Sequence, residues 1–441
     1  MRIAFYPAMT VSNEPLSSAG STIKGMPALL VGLLALAHCA AFADRNLPAV
    51  AAPLLKSGIG LTDTRLGVLD GPAFALLYAV GMLASWPLAH SPRRLRLLAA
   101  CIATWVLGMA IFATGTSFGA LVAGRALIGL GQAAFVPLAL GLIVESAAPQ
   151  RRGRSIAVFT AGAVAGRSLA LLAGGTVLAL LSRWAPAMGQ AHWRLLFLLM
   201  AVPNLVLIAL LAWRRDPVPP PTARPANAPV EMLAALRERP GLMCAYLCGA
   251  GASVLVVQTI GAWAPSILHR EHGLSPSMAA LVFGLALLVA SPLGHLLAGA
   301  LVDRRGARAT PMAIVAAGLL LVVPLLWEIP SAASALEACV LLAFASLLGG
   351  TAAVAALAGL PLMLNERVRD MGLRLFLTFI TMVGVALGPY MAGVVSDGLG
   401  MGGHGLSQAL YRVCSVAAAI GLAAALLAQP GWRRAAAEVA G

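Results

Sequence analysis

The chain has 441 residues, of which 60% are hydrophobic and only 10% are charged, and its mean hydropathy is +0.90. A soluble domain carries roughly 25% charged residues, so this chain has too few polar groups to cover a surface that faces water. Lipid must be its solvent over most of that surface. The net charge is +14, but the basic residues form short clusters between apolar runs, without interleaved aromatic residues, which excludes a nucleic-acid-binding protein.

Twelve apolar segments are long enough, at about 20 residues, to cross a bilayer as helices. In chain order they are 26–55, 66–89, 95–114, 117–143, 155–181, 193–213, 241–268, 276–301, 310–327, 336–364, 373–396 and 407–428. The runs are continuous rather than alternating, which excludes a transmembrane β-barrel. The sequence therefore predicts an all-α integral membrane protein with twelve transmembrane helices.

The largest interruption follows the sixth span, where a proline-rich stretch over 217–229 precedes a short polar helix. Proline removes helix donors and stiffens the chain, so this stretch reads as an extended linker. Six spans, a linker and six spans predict two six-helix bundles built from inverted repeats. The predicted division is an N-terminal tail (1–24), a first bundle (25–213), a linker (214–240), a second bundle (241–428) and a C-terminal tail (429–441).

The distribution of basic residues predicts the orientation. With the N-terminus in the cytoplasm, the cytoplasmic loops, linker and tails hold 21 of the 30 Lys and Arg residues. Cytoplasmic loops carry such an excess, so we expect a multi-pass protein of the bacterial inner membrane with both termini and the linker inside.

The loop after the eighth span carries a motif of glycines, one aspartate and several arginines. Its members are Gly299, Asp303, Arg304, Gly306 and Arg308. An aspartate beside arginines at a helix end can form a cytoplasmic latch between helices, and the glycines let the loop turn tightly. The corresponding first-half loop keeps the arginines but lacks the aspartate and the glycines.

Two further motifs combine small residues with an arginine or a proline. The fourth span has Arg125 followed by Gly129 and Gly131, and the eleventh has Gly384, Gly388, Pro389 and Gly393. The fifth span, which corresponds to the eleventh, contains Gly162 and Gly166 at the same four-residue spacing. Such glycines permit close helix packing, which is a sufficient structural reason for them, and they are a trace of an internal repeat.

These loop and arginine motifs resemble the major facilitator superfamily. The segments 42–45, 60–67, 74–78 and 151–154 further resemble its spinster-like branch, although the anion:cation symporter branch shares the Asp-Arg pair of the first span. The resemblance implies a secondary transporter that works by alternating access and, in the spinster-like case, moves a lysolipid-like substrate outward. Gln132 stands where spinster-like proteins usually carry a glutamate, and an amide cannot exchange a proton near neutral pH.

Four ionisable residues lie in mid-span, namely Asp44, Arg45, Arg125 and Arg167. Such residues are energetically unfavourable in lipid and are functional candidates by default. At about 1.5 Å of rise per residue, Asp44 and Arg125 lie at nearly the same depth. We therefore predict an Asp44–Arg125 contact with Arg45 beside it; a purely structural ion pair is the alternative.

Three arginines against one aspartate favour a substrate with an anionic group. Asp44 is the candidate proton carrier, because its neutralisation would release its arginine partner. Gln132, Arg167, Asp70 and Trp263 are further candidates for the substrate cavity. Asp70 is expected near the outer rim and Trp263 in core packing.

The sequence thus favours a transporter of a small amphipathic or anionic substrate, with a proton as candidate coupling ion. An organic-anion or sugar-acid symporter and a substrate sensor on a transporter scaffold stay open as alternatives. No clustered His/Asp or Ser/His groups predict an enzyme. The six cysteines lie in apolar segments without histidine or carboxylate at ligand spacing, so we expect no metal and no cofactor. We expect a monomer in the lipid bilayer.

Overall fold

The computed structural model describes residues 28–147, 149–184, 187, 191–216, 228–305, 310–400 and 405–440. Within these ranges the regular structure is entirely helical. The first half contains α1 (Ala28–Ile59), α2 (Asp63–Asp70), α3 (Pro72–Ala84), α4 (Arg94–Thr114), α5 (Phe118–Ala133), α6 (Phe135–Ser146), α7 (Pro149–Trp184) and α8 (His192–Ala212). The second half contains α9 (Ala228–Glu238), α10 (Pro240–Arg270), α11 (Pro276–Arg305), α12 (Pro311–Glu328), α13 (Ala335–Gly359), α14 (Glu366–Ile380), α15 (Gly388–Leu399) and α16 (Gly405–Ala440).

Twelve helical segments among these residues are long and apolar enough to cross a membrane, which confirms the predicted fold class. Three spans are interrupted. The second divides into α2 and α3 at Gly71, and the fourth into α5 and α6 at Ala134. In the eleventh span α14 and α15 are joined by a π-helical turn, Thr381–Leu387. The last helix continues to Ala440, past residue 428, and Trp432 in this extension donates a hydrogen bond to the Gly359 carbonyl (3.1 Å).

Glycines set the close contacts within each half. A Cβ on Gly162 or Gly166 of α7 would lie 2.3 or 2.2 Å from a backbone carbonyl of α1. Gly388 meets α10 in the same way, because its Cβ would lie 2.4 Å from the Thr259 hydroxyl. The fifth span therefore packs on the first as the eleventh packs on the seventh, which is the repeat that the glycine spacing indicates.

The glycines of the fourth span pack α5 against both of its neighbours. A Cβ on Gly129 would lie 2.2 Å from the Phe74 carbonyl of α3, and one on Gly131 would lie 2.6 Å from the Trp105 amide of α4. This close packing fixes the rotation of α5 about its axis. It therefore determines where the arginine one turn earlier, Arg125, points.

We call the end of the assembly near Ala28 and Ala440 the proximal end and the opposite end the distal end. At the proximal end of the first half, Arg94 of α4 forms an ion pair with Glu145 of α6 (2.5 Å), and Asp216 accepts a hydrogen bond from the Leu95 amide (2.9 Å). Carboxylates distant in sequence thus meet the first-half arginine loop, which has no aspartate of its own.

The second-half loop motif is only partly described. A Cβ on Gly299 would meet open space, and Asp303 is exposed. Arg304 is helical but its side chain is not described, and Gly306 and Arg308 lie outside the described residues. The latch at this loop therefore stays a prediction.

Candidate functional site

Arg125 of α5 is the centre of a buried charge cluster. It has no exposed surface. Its Nε donates to the Leu69 carbonyl (2.8 Å), its Nη1 to the Arg45 carbonyl (3.2 Å) and its Nη2 to the Asp70 carbonyl (3.5 Å). Because its donors are held by three backbone oxygens of α1 and α2, the guanidinium has a fixed position.

Asp70, and not Asp44, is the carboxylate that faces Arg125. Its Oδ1 lies 3.7 Å from Nη2 of Arg125, and its side chain is 18% exposed. Asp70 is the last residue of α2, where Gly71 and Pro72 interrupt the span. The rim position expected for Asp70 is therefore wrong, because the helix break turns its side chain toward α5.

The predicted Asp44–Arg125 contact is also wrong. Asp44 is 1% exposed and accepts a hydrogen bond from Nδ2 of Asn204 on α8 (2.8 Å). The rise per residue correctly predicts that Asp44 lies at nearly the same level as Arg125. However, Asp44 lies on the side of α1 that faces α8, whereas Arg125 faces the break between α2 and α3.

Arg45 lies against aromatic rings. Its guanidinium carbon is 4.2 Å from the ring centroid of Phe74, 5.1 Å from that of Tyr78 and 5.5 Å from that of Phe42. Within the described part of the chain, its buried Nε and Nη2 have no hydrogen-bond partner. Arg125 lies 5.3 Å from the Phe74 centroid, so the two arginines share one aromatic ring.

Arg167 joins the two halves of the chain. It belongs to α7, yet its Nη2 donates to the Val257 carbonyl of α10 (2.7 Å). A Cβ on Gly261 would lie 2.1 Å from the same nitrogen, so only glycine leaves room for the guanidinium there. Asp70 lies 3.7 Å from Arg125 and also interacts electrostatically with Arg167 and Arg45, so three arginines act on this one carboxylate.

Gln132 and Trp263 are both buried, at 4% and 2% exposure. Gln132 donates to the Ala41 carbonyl (2.8 Å) and so ties α5 to α1 inside the first half. Trp263 donates to the Pro389 carbonyl (3.1 Å) and ties α10 to α15. The ring of Trp263 borders a small cavity at the seam between the halves, which is also lined by Asp70, Ala52 and Ala262.

Beyond this cavity, a polar network closes the distal end. Asp63 is 2% exposed and accepts from Lys56 (2.5 Å), from Arg270 (2.9 and 3.0 Å) and from Ser396 (2.8 Å). Asp397 of α15 accepts from the Asp63 and Thr64 amides at the start of α2 (3.1 and 2.8 Å). Since α2 belongs to the first half and α10 and α15 to the second, the bonds made by Arg270, Ser396 and Asp397 hold the two halves together, and Lys56 adds a bond within the first half. We call them the distal latch.

Glycines bring α2 and α15 together beside the latch. A Cβ on Gly393 would lie 2.3 Å from the Asp63 carbonyl, and one on Gly67 would lie 2.6 Å from the Pro389 carbonyl. Both neighbours are backbone atoms, which cannot move without separating the helices.

We therefore expect Gly393→Ala to open the distal end. Overpacking disfavours a well-packed contact by about 1–3 kcal/mol, which shifts a two-state equilibrium by about tenfold for each 1.4 kcal/mol. The measurement is the labelling rate of a cysteine placed at Ala262, in a cysteine-free background, by a water-soluble thiol reagent from the distal side. Gly398→Ala on the same helix is the control, because its Cβ would meet nothing within 4 Å. Equal rates in the two variants would contradict the prediction.

Sequence reasoning missed several of these partners. Asn204 could have been noted as a polar residue in an apolar span. Asp63, Arg270 and Asp397 were indistinguishable from ordinary charged residues at helix ends. No group of three or more His, Cys, Asp or Glu residues in the described ranges could hold a metal ion.

A family model described as the Major Facilitator Superfamily matches residues 34–373. The chain belongs to this superfamily, and membrane transport by alternating access follows from that membership. It is 28% identical over 426 residues to an MFS-type efflux pump of Mycolicibacterium smegmatis, covering 92% of this chain and 93% of the pump. It is 27% identical over 329 residues to Protein spinster homolog 1 of Homo sapiens, covering 69% of this chain and 60% of that protein.

Among solved structures, the fold is similar to that of a bacterial homologue of the human lysosomal transporter Spinster in an inward-facing, unoccupied conformation. The TM-score is 0.74 and the identity 21%, over 93% of this chain and 97% of the homologue. The predicted resemblance to the spinster-like branch is confirmed.

Proposed function

We propose that this protein is a secondary active transporter of a small amphipathic molecule with an anionic group. The observation that carries the proposal is the gathering of Arg45, Arg125 and Arg167 around Asp70, a carboxylate that borders the small cavity between the halves. Guanidinium groups bind phosphate and carboxylate strongly when desolvated. The aromatic rings around Arg45 suit the apolar part of such a substrate.

The chain is similar to a protein named an efflux pump and to spinster homologues, and the resemblance to the spinster-like branch implies a lysolipid-like substrate. We place the protein in a bacterial inner membrane with both termini in the cytoplasm, as a monomer, because a single chain supplies both halves of the seam. A buried carboxyl group, Asp44 or Asp70, would bind the coupling proton.

The test is uptake into proteoliposomes of lysophosphatidylglycerol, with lysophosphatidylcholine as its matched control. Both carry one acyl chain and a phosphodiester, but only the first has a net negative charge. We expect wild-type protein to transport lysophosphatidylglycerol in preference to lysophosphatidylcholine. We also expect its transport rate to respond to an imposed pH gradient. Equal transport of both lipids contradicts the anionic-group proposal. Transport of gluconate instead supports the sugar-acid symporter, and binding without transport supports a sensor.

Arg45→Gln should weaken anion binding without unfolding the protein. Arg45 has no ion pair among the described side chains, and its Nε and Nη2 are available as donors. A hydrogen bond to a charged group contributes about 1.5–3 kcal/mol, so we expect lysophosphatidylglycerol to bind about 10- to 100-fold more weakly. Isothermal titration in nanodiscs measures this. Arg65→Gln, at an exposed distal position over Phe118, is the matched control and should bind normally.

A further inference from the structure

We infer that Asp70 is the proton-binding group of this transporter, and that its carboxylate and the anionic group of the substrate compete for Arg125. The inference rests on the proposed function and adds to it the residue and the linkage between proton and substrate. It replaces the assignment of this role to Asp44, which the sequence favoured.

The first argument is the geometry at Arg125. Nε and Nη1 donate to the carbonyls of Leu69 and Arg45 at hydrogen-bond distance, and these bonds do not depend on any carboxylate. The Asp70 carboxylate lies 3.7 Å from Nη2, which is an ion pair but longer than a hydrogen bond. The arginine is thus fixed by the backbone, while the contact with its carboxylate is loose and can be exchanged.

The second argument is the difference between the two buried carboxylates. Asp44 is 1% exposed, its hydrogen-bond partner is the neutral Asn204, and it forms no ion pair with any described side chain. A proton on Asp44 would release no arginine. Asp70 is 18% exposed and borders the seam cavity, so a proton there changes the charge that faces both the arginines and the cavity.

The third argument is the position of Asp70 at a mechanical junction. The neighbouring Gly71 abuts the π-helical turn of the second half, where its Cβ would lie 2.4 Å from the Ala386 carbonyl. Broken helices and π-helical turns are common at functional sites. A change of charge at Asp70 therefore acts where the two halves must move against each other.

Among the described residues, the charged groups that act on Asp70 are all arginines. Arg125 of α5 forms the ion pair with Asp70, and Arg45 of α1 and Arg167 of α7 also act on it electrostatically. The second-half residues that border the cavity, Ala262 and Trp263, are uncharged. With Asp70 ionised, the carboxylate repels an anionic substrate and shares Arg125. With Asp70 protonated, the arginines retain their full charge for the substrate. Anion and proton therefore bind cooperatively and cross the membrane in the same direction.

The experiment counts protons on binding. Purified protein in weakly buffered nanodiscs is titrated with lysophosphatidylglycerol while a pH indicator records proton uptake. We expect wild-type protein to take up about one proton per bound lipid where Asp70 starts ionised, and its affinity to rise by up to about tenfold per unit fall in pH. Asp70→Asn should bind without proton uptake and without pH dependence, whereas Asp44→Asn should behave as wild type.

The outcomes separate the two proposals. Binding by wild type with no proton uptake at any pH tested, or uptake lost in Asp44→Asn and kept in Asp70→Asn, overturns the role of Asp70 and leaves the proposed function standing. Failure of wild type to bind any anion tested, including gluconate, overturns the proposed function as well. If Asp70→Asn does not fold, the test instead uses infrared difference spectra of wild type and Asp44→Asn. A protonated-carboxyl band must then appear on lipid binding in both wild type and Asp44→Asn, and its absence from both overturns the inference.

Discussion

Replacing Arg125 by glutamine should abolish transport and destabilise the protein by about 3 kcal/mol. The substitution removes the donors to three backbone carbonyls and leaves the Asp70 carboxylate without its ion-pair partner in a largely buried site. Removing one member of a buried pair typically destabilises by about 3–5 kcal/mol. We take the lower value because Asp70 keeps 18% of its side chain exposed. The stability is measured as the fraction of protein that remains monodisperse in size-exclusion chromatography after heating.

The double variant Arg125→Gln with Asp70→Asn distinguishes the ion pair from the carbonyl contacts. If the pair contributes, the double variant should be more stable than the sum of the single effects predicts, by about 0.5–3 kcal/mol. Arg194→Gln is the control. Arg194 also binds two backbone carbonyls, those of Ala113 and Gly115 (2.7 and 2.8 Å), but it is not a member of the charge cluster. It should lose some stability and keep transport, and a transport loss as complete as that of Arg125→Gln would argue against a special role for the cluster.

Asp63→Asn should produce the largest shift in conformation, by opening the distal end. The carboxylate accepts from Lys56, Arg270 and Ser396 while almost fully buried, and two of these donors belong to the second half. Charge-assisted hydrogen bonds contribute about 1.5–3 kcal/mol, so the population with a separated distal seam should rise about 10- to 100-fold. Distal labelling of a cysteine at Ala262 measures the change.

The control for the latch is an ion pair that lies inside one half. Glu145→Gln removes the partner of Arg94 at the proximal end and crosses no seam, so distal labelling should stay at the wild-type rate. The latch has no role in closure if Asp63→Asn labels as slowly as Glu145→Gln. Asp63→Glu keeps the charge, so its cysteine should be labelled more slowly than that of Asp63→Asn. This result would distinguish loss of the charge from loss of the fold.

The latch and the charge cluster lie on the same short helix. Asp63 begins α2 and Asp70 ends it, and the Gly67 contact with Pro389 lies between them. Opening the latch therefore moves the carboxylate that faces Arg125. The proposed site of substrate and proton binding therefore lies within two turns of the distal latch.

Hydropathy and charge patterns were sufficient to predict the fold. Each of the twelve spans follows from the composition of its own segment, because a helix in lipid satisfies its backbone hydrogen bonds internally and needs no distant partner. The glycine spacings in the fifth and eleventh spans also indicated correctly where helices pack closely. The ionisable residues Asp44, Arg45, Arg125 and Arg167 could be recognised because charge inside a span is rare.

Which residues touch could not be read from the chain. The sequence determined the helices and their order, and it placed Asp44 and Arg125 at nearly the same level. The tertiary structure alone decided that Arg125 meets Asp70, that Asp44 meets Asn204 and that Asp63 holds Arg270. The physical reason is that depth follows from a constant rise per residue, whereas the partner depends on how each helix is rotated and where it breaks. Packing at Gly129 and Gly131 fixes the rotation of α5, and the break at Gly71 turns Asp70 from the expected rim into the buried site.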